Sequence, residues 1–490
     1  PEKIASLANR SADSAGAAKL ISVDESESLG VGQVHDLYRR FVDPNQVALM
    51  TSFGFGRELI DRAEGVWLYT RAGRPILDFA SGAAGFGHGH NHPRIVAARA
   101  RFASQRRMEV HKTYFSPYVA ALGHNLAHVL PGDLSLSFLP NSGAEAIEGA
   151  VKLAYKYHQG RRHTVLRADI ARHGELLGSG SLSTGEPGRY PGIPGVLSYR
   201  YDDLPSVRAA VAAANRGPGR NDVYAILVEP FSATTLRSCS ASFLRGLRQL
   251  CTAEDIVLVF DEVRTGWGRT GTLFYFMRHE GLVPDVLVTG QAFGGGKSSV
   301  CAYVAREKVF RTAYDHLADA LTHSTSTTYY GFGEENATAI EAINVVVEDD
   351  YPARARAIEQ LLAPGLARIA DRFPDTVREV RGHGASFGVV LDGGEPTREL
   401  ARKSMPGGLG GDSVFGAKLA ACAVASALYR DHGLCVHYDL DGGNPLIIGP
   451  QLVAEPEHVE LFLDGFEATL AKGLPRLLTT FLSEKVTTLW

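Results

Sequence analysis

The sequence predicts an α/β fold, with a large domain around a mainly parallel central sheet and a smaller α+β domain. The first observation behind this prediction is that apolar runs starting at Val223, Ile256 and Val286 alternate with helical stretches. Continuous apolar strands joined by helices are typical of parallel sheets, whose strands are buried on both faces. The second observation is the length of 490 residues, which is too great for one simple core.

Composition and charge exclude several classes of protein. Hydrophobic residues make up 45% and charged residues 21% of the chain, as in ordinary globular proteins. A net charge of -4 predicts no nucleic-acid partner, since such binding needs a basic surface. The sequence has neither an apolar run long enough to cross a membrane nor a secretory signal pattern, so we expect no membrane partner. Five cysteines without metal-ligand spacing predict reduced, buried thiols and a cytoplasmic location.

The N-terminal part is expected to begin with an arm. Residues 1–80 are interpreted as this arm, ending near residue 30, together with part of the smaller domain. Short strands and turns are expected from Leu37 to Phe79. A helix is predicted over residues 94–106, followed by a strand that starts at Leu134 and a helix that reaches about Tyr157.

The rest of the chain supplies the two main predicted domains. Residues 81–345 are expected to form the large, ligand-binding domain, and residues 346–490 the smaller domain. Helices are predicted at 242–254, 337–348, 353–373, 416–431 and 456–474, and further strands at 376–381, 386–391 and 446–448. The charged, Gly- and Pro-rich residues 395–413 are predicted to form a mobile loop.

Three histidines alternate in the glycine-rich loop from Ser81 to Pro93. His88, His90 and His92 could suggest a metal site. They have no carboxylate or cysteine beside them in the sequence, so we interpret the segment as a loop of turn-forming residues. The sequence therefore predicts no metal.

Polar residues close three of the predicted strands. Glu229, Asp261 and Gln291 each follow an apolar run. Because ligands gather at the carboxyl ends of parallel strands, we expect these three side chains to share one crevice. A further candidate is the helix start at Asn141-Ser-Gly-Ala144, where free backbone N–H groups favour an anion such as phosphate. Taken alone, that turn would be only a helix cap.

Together, these motifs make the chain resemble the class III (omega-type) aminotransferases, which are fold-type I pyridoxal-phosphate (PLP) enzymes. The most specific match is Asp261-Glu-Val-Arg-Thr-Gly-Trp-Gly-Arg-Thr-Gly271, where the family typically reads Asp-Glu-Val-Gln-Thr-Gly-Phe-Gly-Arg-Thr-Gly. The supporting matches, in chain order, are Asn141-Ser-Gly-Ala-Glu-Ala146, His173-Gly174, Glu229-Pro230, Thr328-Tyr-Tyr-Gly331 and Arg381-Gly-His-Gly384. The resemblance covers roughly residues 40 to 475.

The resemblance implies roles for several residues. Asp261 would hold the proton on the cofactor ring nitrogen, which the electron-sink chemistry of PLP requires. Val263 would pack under the ring. Thr328 would reach the phosphate of the neighbouring subunit's cofactor, so the family implies a homodimer with shared active sites. At the phosphate, the resemblance places the helix start formed by Ser142, Gly143 and Ala144.

The chain departs from the family at the residue that forms the Schiff base. The family places a lysine three residues before the glycine run and six residues after the aspartate of Pro-Asp. Counted back from Gly294 or forward from Asp285, this position is Gln291. An amide cannot form a Schiff base and is a poor general base. We therefore expect PLP, or pyridoxamine 5'-phosphate, to be held without a covalent bond, while a displaced role for Lys297 stays open.

Other departures lie around the same site. Arg264 stands where the family has glutamine near the phenolic oxygen of the cofactor, and Arg172 replaces an aromatic residue that stacks on the ring. Ile447 takes the place of an arginine that commonly binds a substrate carboxylate. This last change suggests an amine substrate without that carboxylate, for example an amino sugar. His173 is the nearest candidate for the missing base, and Glu229 completes the catalytic candidates.

Three hypotheses follow from these departures. The chain could be an aminotransferase acting on an amine, whose lysine has been replaced deliberately by Gln291. It could instead be a natural lysine-free dehydratase or deoxygenase of amino sugars that uses PLP or pyridoxamine phosphate. The third hypothesis is a non-catalytic relative, which binds the cofactor or serves as a scaffold. Retention of Asp261 and Thr328 argues against the third, because a scaffold does not need a coenzyme.

Overall fold

A computed structural model gives the architecture of the chain. It describes residues 20–52, 55–109, 114–184, 191–215, 221–319, 332–392, 394, 399, 413–438 and 445–486. The chain divides into two compact units. One unit is Ile60–Ser483, and the other combines the residues up to Leu59 with those from Glu484 onward. The domain boundaries expected at residues 80 and 345 stay predictions.

A seven-stranded sheet forms the centre of the larger unit. Its strands are β4 (Leu134–Phe138), β5 (Thr164–Ala168), β6 (Val196–Tyr199), β7 (Val223–Val228), β8 (Val257–Glu262), β9 (Val286–Thr289) and β10 (Ala302–Arg306). They lie in the order β4-β10-β9-β8-β7-β5-β6. Neighbours from β9 to β6 pair in parallel, and β10 pairs antiparallel with both β9 and β4. The predicted α/β fold with a mainly parallel sheet is therefore confirmed.

The strands of this sheet are apolar along their whole length because helices cover them. Every residue of β7, β8 and β9 is buried. The helix Gly143–Tyr157 packs against the sheet through Ile147, Ala150 and Ala154, which belong to the same core cluster as Val259 of β8. These helix residues recur at intervals of three and four, which puts them on one face. Burial on both sides explains why these strands do not alternate between apolar and polar residues.

Two smaller sheets belong to the same unit. The first has the order β1-β2-β3-β13, with β1 (Ile60–Glu64), β2 (Trp67–Thr70), β3 (Pro75–Asp78) and β13 (Leu434–Cys435). The second is antiparallel, with the order β11-β12-β14, and consists of β11 (Val377–His383), β12 (Ser386–Leu391) and β14 (Leu446–Ile448). Strands from both ends of the chain thus meet in the first sheet.

The described helices agree with most of the predicted ones. Those before β7 are Val23–Glu27, Val31–Phe41, Pro44–Ser52, Ser81–Ala84, Pro93–Ser104, Pro117–Val129, Gly143–Tyr157, Leu177–Ser181 and Leu204–Ala214. Those after β7 are Ala241–Ala253, Glu307–Tyr314, Gly333–Glu348, Tyr351–Arg372, Ser413–Ala427, Pro456–Leu470 and Leu474–Val486. A π-helical segment, Leu428–His432, follows Ser413–Ala427. Within the described ranges, no helix is long and apolar enough to span a bilayer.

Two sequence predictions about secondary structure are wrong. Residues 37–52, expected as strands and turns, lie in the helices Val31–Phe41 and Pro44–Ser52. Val34, Leu37 and Phe41 stand at helical spacing, and a proline at the first position favours a helix start. The helix predicted over 456–474 ends at Leu470, and a separate helix begins at Leu474, since Gly473 adopts a left-handed φ of 80°. Most of the predicted 395–413 loop, and of the arm before residue 20, lies outside the described residues.

Two of the alternating histidines, His88 and His90, lie in different environments. His90 Nε2 lies 2.8 Å from Oδ2 of Asp78, a carboxylate that is not adjacent to it in the sequence. Asp78 is the last residue of β3, so the two residues belong to different elements, and the sequence alone does not reveal their contact. His88 Nε2 lies 2.9 Å from the carbonyl oxygen of Ala342, and burial lowers the pKa of His88 to about 4. Both contacts indicate a structural role in packing.

Candidate active site

The carboxyl ends of three neighbouring strands form one cavity. Glu229 follows β7, Asp261 is the penultimate residue of β8, and Gln291 lies two residues beyond β9. The cavity has a volume of about 280 Å³. Its lining comprises Gly143, Ala144, Arg172, His173, Gly174, Glu175, Glu229, Ala233, Asp261, Val263, Arg264, Thr265 and Gln291. The structure therefore brings together the three strand-end residues that the sequence placed in one crevice.

Asp261 is buried and bonded through both carboxylate oxygens. Oδ2 lies 2.7 Å from Nδ1 of His173, and Oδ1 accepts a hydrogen bond of 3.0 Å from the backbone N–H of Val263. The other ring nitrogen of His173, Nε2, is buried without a hydrogen-bond partner among the described residues. These hydrogen bonds hold Asp261 and His173 together in the cavity wall, and Nε2 of His173 can still bind a ligand.

Glu229 is a second buried carboxylate in the cavity. Its two oxygens accept hydrogen bonds from the backbone N–H groups of Arg172, at 3.2 Å, and Ala233, at 3.3 Å. Burial raises the pKa of Glu229 to about 7, and the nearby carboxylate of Asp261 acts in the same direction. Such a carboxyl group can bind or release a proton near neutral pH.

The helix Gly143–Tyr157 points its N-terminus at the cavity. Ser142 caps this helix, with Oγ accepting from the backbone N–H of Glu145 at 3.2 Å, but Ser142 does not line the cavity itself. Gly143 and Ala144 do line it, and their backbone N–H groups make no hydrogen bond with the described residues. A side chain at 143 would not fit, because its Cβ would lie 2.8 Å from Cγ1 of Val263. These free donors at a positive helix end fit a phosphate.

The two unexpected arginines both line the cavity and also bind protein groups. Arg264 Nη2 donates to the carbonyl oxygen of Ala83 at 2.7 Å, so it ties the Ser81–Ala84 helix to the turn after β8. Arg172 Nη2 lies 3.4 Å from Oε1 of Glu175, a largely exposed residue. Arg172 thus lines the cavity at the position where the family has an aromatic residue, and it brings a planar cation there instead of an aromatic ring.

Gln291 has an unusual conformation in the cavity wall. Its φ of 39° is in the left-handed region, which residues other than glycine rarely adopt. Oε1 is buried without a hydrogen-bond partner among the described residues and lies against Gly85, where a Cβ would come within 2.1 Å of it. Strained backbone and unsatisfied polar groups concentrate at functional sites.

Aromatic packing fixes the turn that carries Gln291. Phe293, two residues later, stacks on Trp267 with ring centroids 5.3 Å apart and an interplanar angle of 8°. Trp267 in turn donates from Nε1 to Oγ1 of Thr289 at 2.9 Å. Trp267 thus contacts residues on both sides of Gln291, namely Thr289 at the end of β9 and Phe293, and these contacts fix the position of residue 291.

In the part of the chain that the structure describes, no lysine lines the cavity. Lys297, the nearest amine in the sequence, follows the glycine run and accepts a hydrogen bond at its carbonyl oxygen from Arg99. Thr328 lies outside the described residues. Among those that are described, no group of three or more His, Cys, Asp or Glu side chains is arranged to hold a metal ion.

Sequence reasoning missed several residues that shape the site. Gly85 packs against Gln291, whereas Ala233 and Thr265 line the cavity from turns after β7 and β8. Gly174 has a φ of 131° and leaves no space for a side chain beside Ala144. The only sequence signal for these residues was their position next to a motif, since glycine and small side chains have no chemistry of their own to detect.

A buried carboxylate–histidine pair and a cradle of free N–H groups thus lie together in one polar cavity at the strand ends. The model of the aminotransferase class-III family matches residues 56–470. An acetylornithine aminotransferase of Agrobacterium fabrum (strain C58) is 31% identical over 368 residues, which are 72% of this chain and 86% of the relative. The chain belongs to the class III aminotransferases, a family of PLP-dependent enzymes.

A solved structure shows the same fold. The ornithine aminotransferase from Toxoplasma gondii ME49 superposes with a TM-score of 0.75, covering 92% of this chain and 97% of that chain, at 21% identity. The residues of the cavity also fit the family's cofactor. Asp261 would hold the ring nitrogen and Val263 would pack on the ring, while Gly143 and Ala144 would bind the phosphate.

Proposed function

We propose that this chain binds PLP or pyridoxamine 5'-phosphate without a covalent bond and acts on a small-molecule amine. The observation that carries the proposal is that Gln291, and no described lysine, lines the cavity. The cofactor supplies an electron sink for bonds at the carbon that bears the amine. The protein would orient it through Asp261 and the helix N-terminus at Gly143.

Without a lysine at position 291, other side chains of the cavity would have to transfer protons. Gln291 keeps the position of the Schiff-base lysine but cannot bind or release a proton at neutral pH. Asp261 is engaged with His173, which in turn has one free ring nitrogen. Glu229, with its pKa raised to about 7, is a cavity group that can exchange a proton near neutrality.

A borohydride experiment tests the absence of a covalent bond. The native chain and the variants Gln291→Lys and Gln291→Met are loaded with PLP, reduced with borohydride, denatured and weighed by mass spectrometry. We expect only Gln291→Lys to keep the cofactor mass, because only its amine can form the reducible bond. The Met side chain has a similar length and no amine, so it serves as the control. A cofactor mass on the native chain, mapped to Lys297 or elsewhere, would contradict the proposal.

The same variant separates the two catalytic hypotheses. If the chain is an aminotransferase with a replaced lysine, Gln291→Lys should transfer an amine to a carbonyl compound at least 100-fold faster than the native chain. The alternative is a natural lysine-free dehydratase or deoxygenase of amino sugars. The concentration of departures at Arg172, Arg264 and Gln291 in one cavity favours this alternative. Turnover of an amino sugar by the native chain, lost on lysine insertion, would establish it.

Three further points are part of the proposal. The amino-sugar substrate is supported by Ile447, which is fully buried against Phe231 and Tyr275 and offers no group to a substrate carboxylate. A homodimer with shared sites is expected from the family, and sedimentation of the holoprotein tests it. A cytoplasmic location is supported by five free cysteines. If the chain bound neither cofactor form, the non-catalytic hypothesis would remain in a form without the coenzyme.

A further inference from the structure

We infer that Glu229 is the binding site for a protonated amino group of the substrate. The inference rests on the proposed function, because it assigns a substrate contact within the same cavity. The class of ligand is an organic ammonium ion, recognised by a buried carboxylate.

The first step is the charge environment of Glu229. Its carboxylate makes two backbone hydrogen bonds and forms no ion pair with any described cationic side chain. Neither cavity arginine forms an ion pair with Glu229: the guanidinium of Arg264 donates to the carbonyl oxygen of Ala83, and that of Arg172 lies beside Glu175. Buried carboxylates are normally paired, so a lone one in a ligand cavity calls for a cation from outside the protein.

The second step is that the groups around Glu229 differ in their effect on its ionisation. Asp261 opposes its ionisation, whereas His173, Arg264 and the backbone N–H of Arg172 favour it. Tyr201 donates to the backbone carbonyl oxygen of Glu229 at 2.9 Å, and Cys239 contacts the same oxygen, so neither satisfies the carboxylate. Burial and the neighbouring carboxylate therefore raise the pKa of Glu229 above its ordinary range, and a bound ammonium ion would favour the ionised form.

The third step compares Glu229 with a second buried glutamate. Burial also raises the pKa of Glu262 to about 7, but its carboxylate accepts from the backbone N–H groups of Tyr275 at 2.7 Å and Phe276 at 2.9 Å, and from Thr265 at 3.1 Å. Glu262 does not line the cavity. A matched pair of glutamates thus differs in access to ligand, which makes Glu262 the internal control.

Calorimetry of amine binding tests the inference. The protein is loaded with pyridoxamine 5'-phosphate, which carries no carbonyl group to react with an amine, and titrated with butylamine or with neutral butan-1-ol. Measurements at pH 6, 7 and 8 in two buffers of different ionisation enthalpy give the protons released. Butylamine affinity should rise about tenfold from pH 6 to pH 8, with about half a proton released at pH 7, since ionised Glu229 attracts the ammonium ion. Butan-1-ol should show neither effect.

Variants locate the effect. Glu229→Gln should lower butylamine affinity about 10- to 100-fold and abolish the pH dependence, whereas Glu262→Gln should retain both. Glu229→Asp, which keeps the charge on a shorter side chain, should release protons on binding and covers the case of a Gln variant that fails to fold. Butylamine binding that is independent of pH, or unaffected by Glu229→Gln in a folded protein, would overturn the inference. Failure to retain the cofactor would instead overturn the proposed function.

Discussion

The wall at Asp261 and the turn at Gln291 lie on neighbouring strands of one cavity but differ in how well their polar groups are satisfied. Both oxygens of Asp261 are hydrogen-bonded, to His173 and Val263. Gln291 has a buried oxygen without a partner among the described residues and a strained φ of 39°. Under the proposed function, Asp261 would orient the cofactor from a rigidly bonded position, whereas Gln291 would occupy the position of covalent attachment without forming that bond.

The largest effect on cofactor binding is expected from a change at Asp261, whose carboxylate oxygens are both hydrogen-bonded. Asp261→Asn should weaken cofactor binding about 100-fold, because the loss of a charged hydrogen bond costs about 1.5–3 kcal/mol. A fluorescence titration of the cofactor measures this. Asp285→Asn is the control, since Asp285 is comparably buried and pairs with Arg248 at 2.8 Å outside the cavity lining. Equal losses of affinity in both variants would mean that Asp261 acts only through stability.

A smaller effect on cofactor binding is expected at Gly143, where the helix Gly143–Tyr157 begins next to Val263. Gly143→Ala should weaken cofactor binding about tenfold and destabilise the fold by about 1–3 kcal/mol, because the new methyl group would collide with Val263. Gly123→Ala is the matched helical control, with Ser137 Oγ at an ordinary 3.5 Å, and should stabilise the fold by up to about 1 kcal/mol. Denaturant melts and cofactor titrations of both variants check the opposite signs.

The smallest effect, a loss of fold stability, is expected where Gly85 contacts Gln291. Gly85→Ala should destabilise the fold by about 1 kcal/mol, because the flexible amide of Gln291 can move away from the new methyl group. The double variant Gly85→Ala, Gln291→Ala should recover most of that loss, giving a coupling energy in a double-mutant cycle. Additive losses would show that the two residues do not touch, and the contrast between the turn and the wall would need another explanation.

The sequence revealed the parts of the molecule whose signals are continuous along the chain. The apolar runs of β7, β8 and β9 predicted the parallel sheet, and the strand ends predicted that Glu229, Asp261 and Gln291 share one cavity. That Gln291 takes the lysine position, as the spacing from Asp285 to Gly294 indicates, stays a prediction. The roles assigned to the site residues stay predictions. What the sequence could not show depends on contacts between distant residues, such as His90 with Asp78, or on residues without side-chain chemistry, such as Gly85 against Gln291.

The buried guanidinium of Arg269 has a consequence for how the chain folds during synthesis. It donates to three backbone carbonyls, those of Phe86, Ala385 and Pro450, and burial lowers the pKa of Arg269 to about 9. The residues that line the cavity lie between Gly143 and Gln291, so they leave the ribosome well before the last of these acceptors. At about 5–20 residues per second, the roughly 160 residues up to Pro450 take about 10 to 30 s. During that interval the cavity residues have been synthesised, but Arg269 cannot yet donate to the carbonyl oxygen of Pro450.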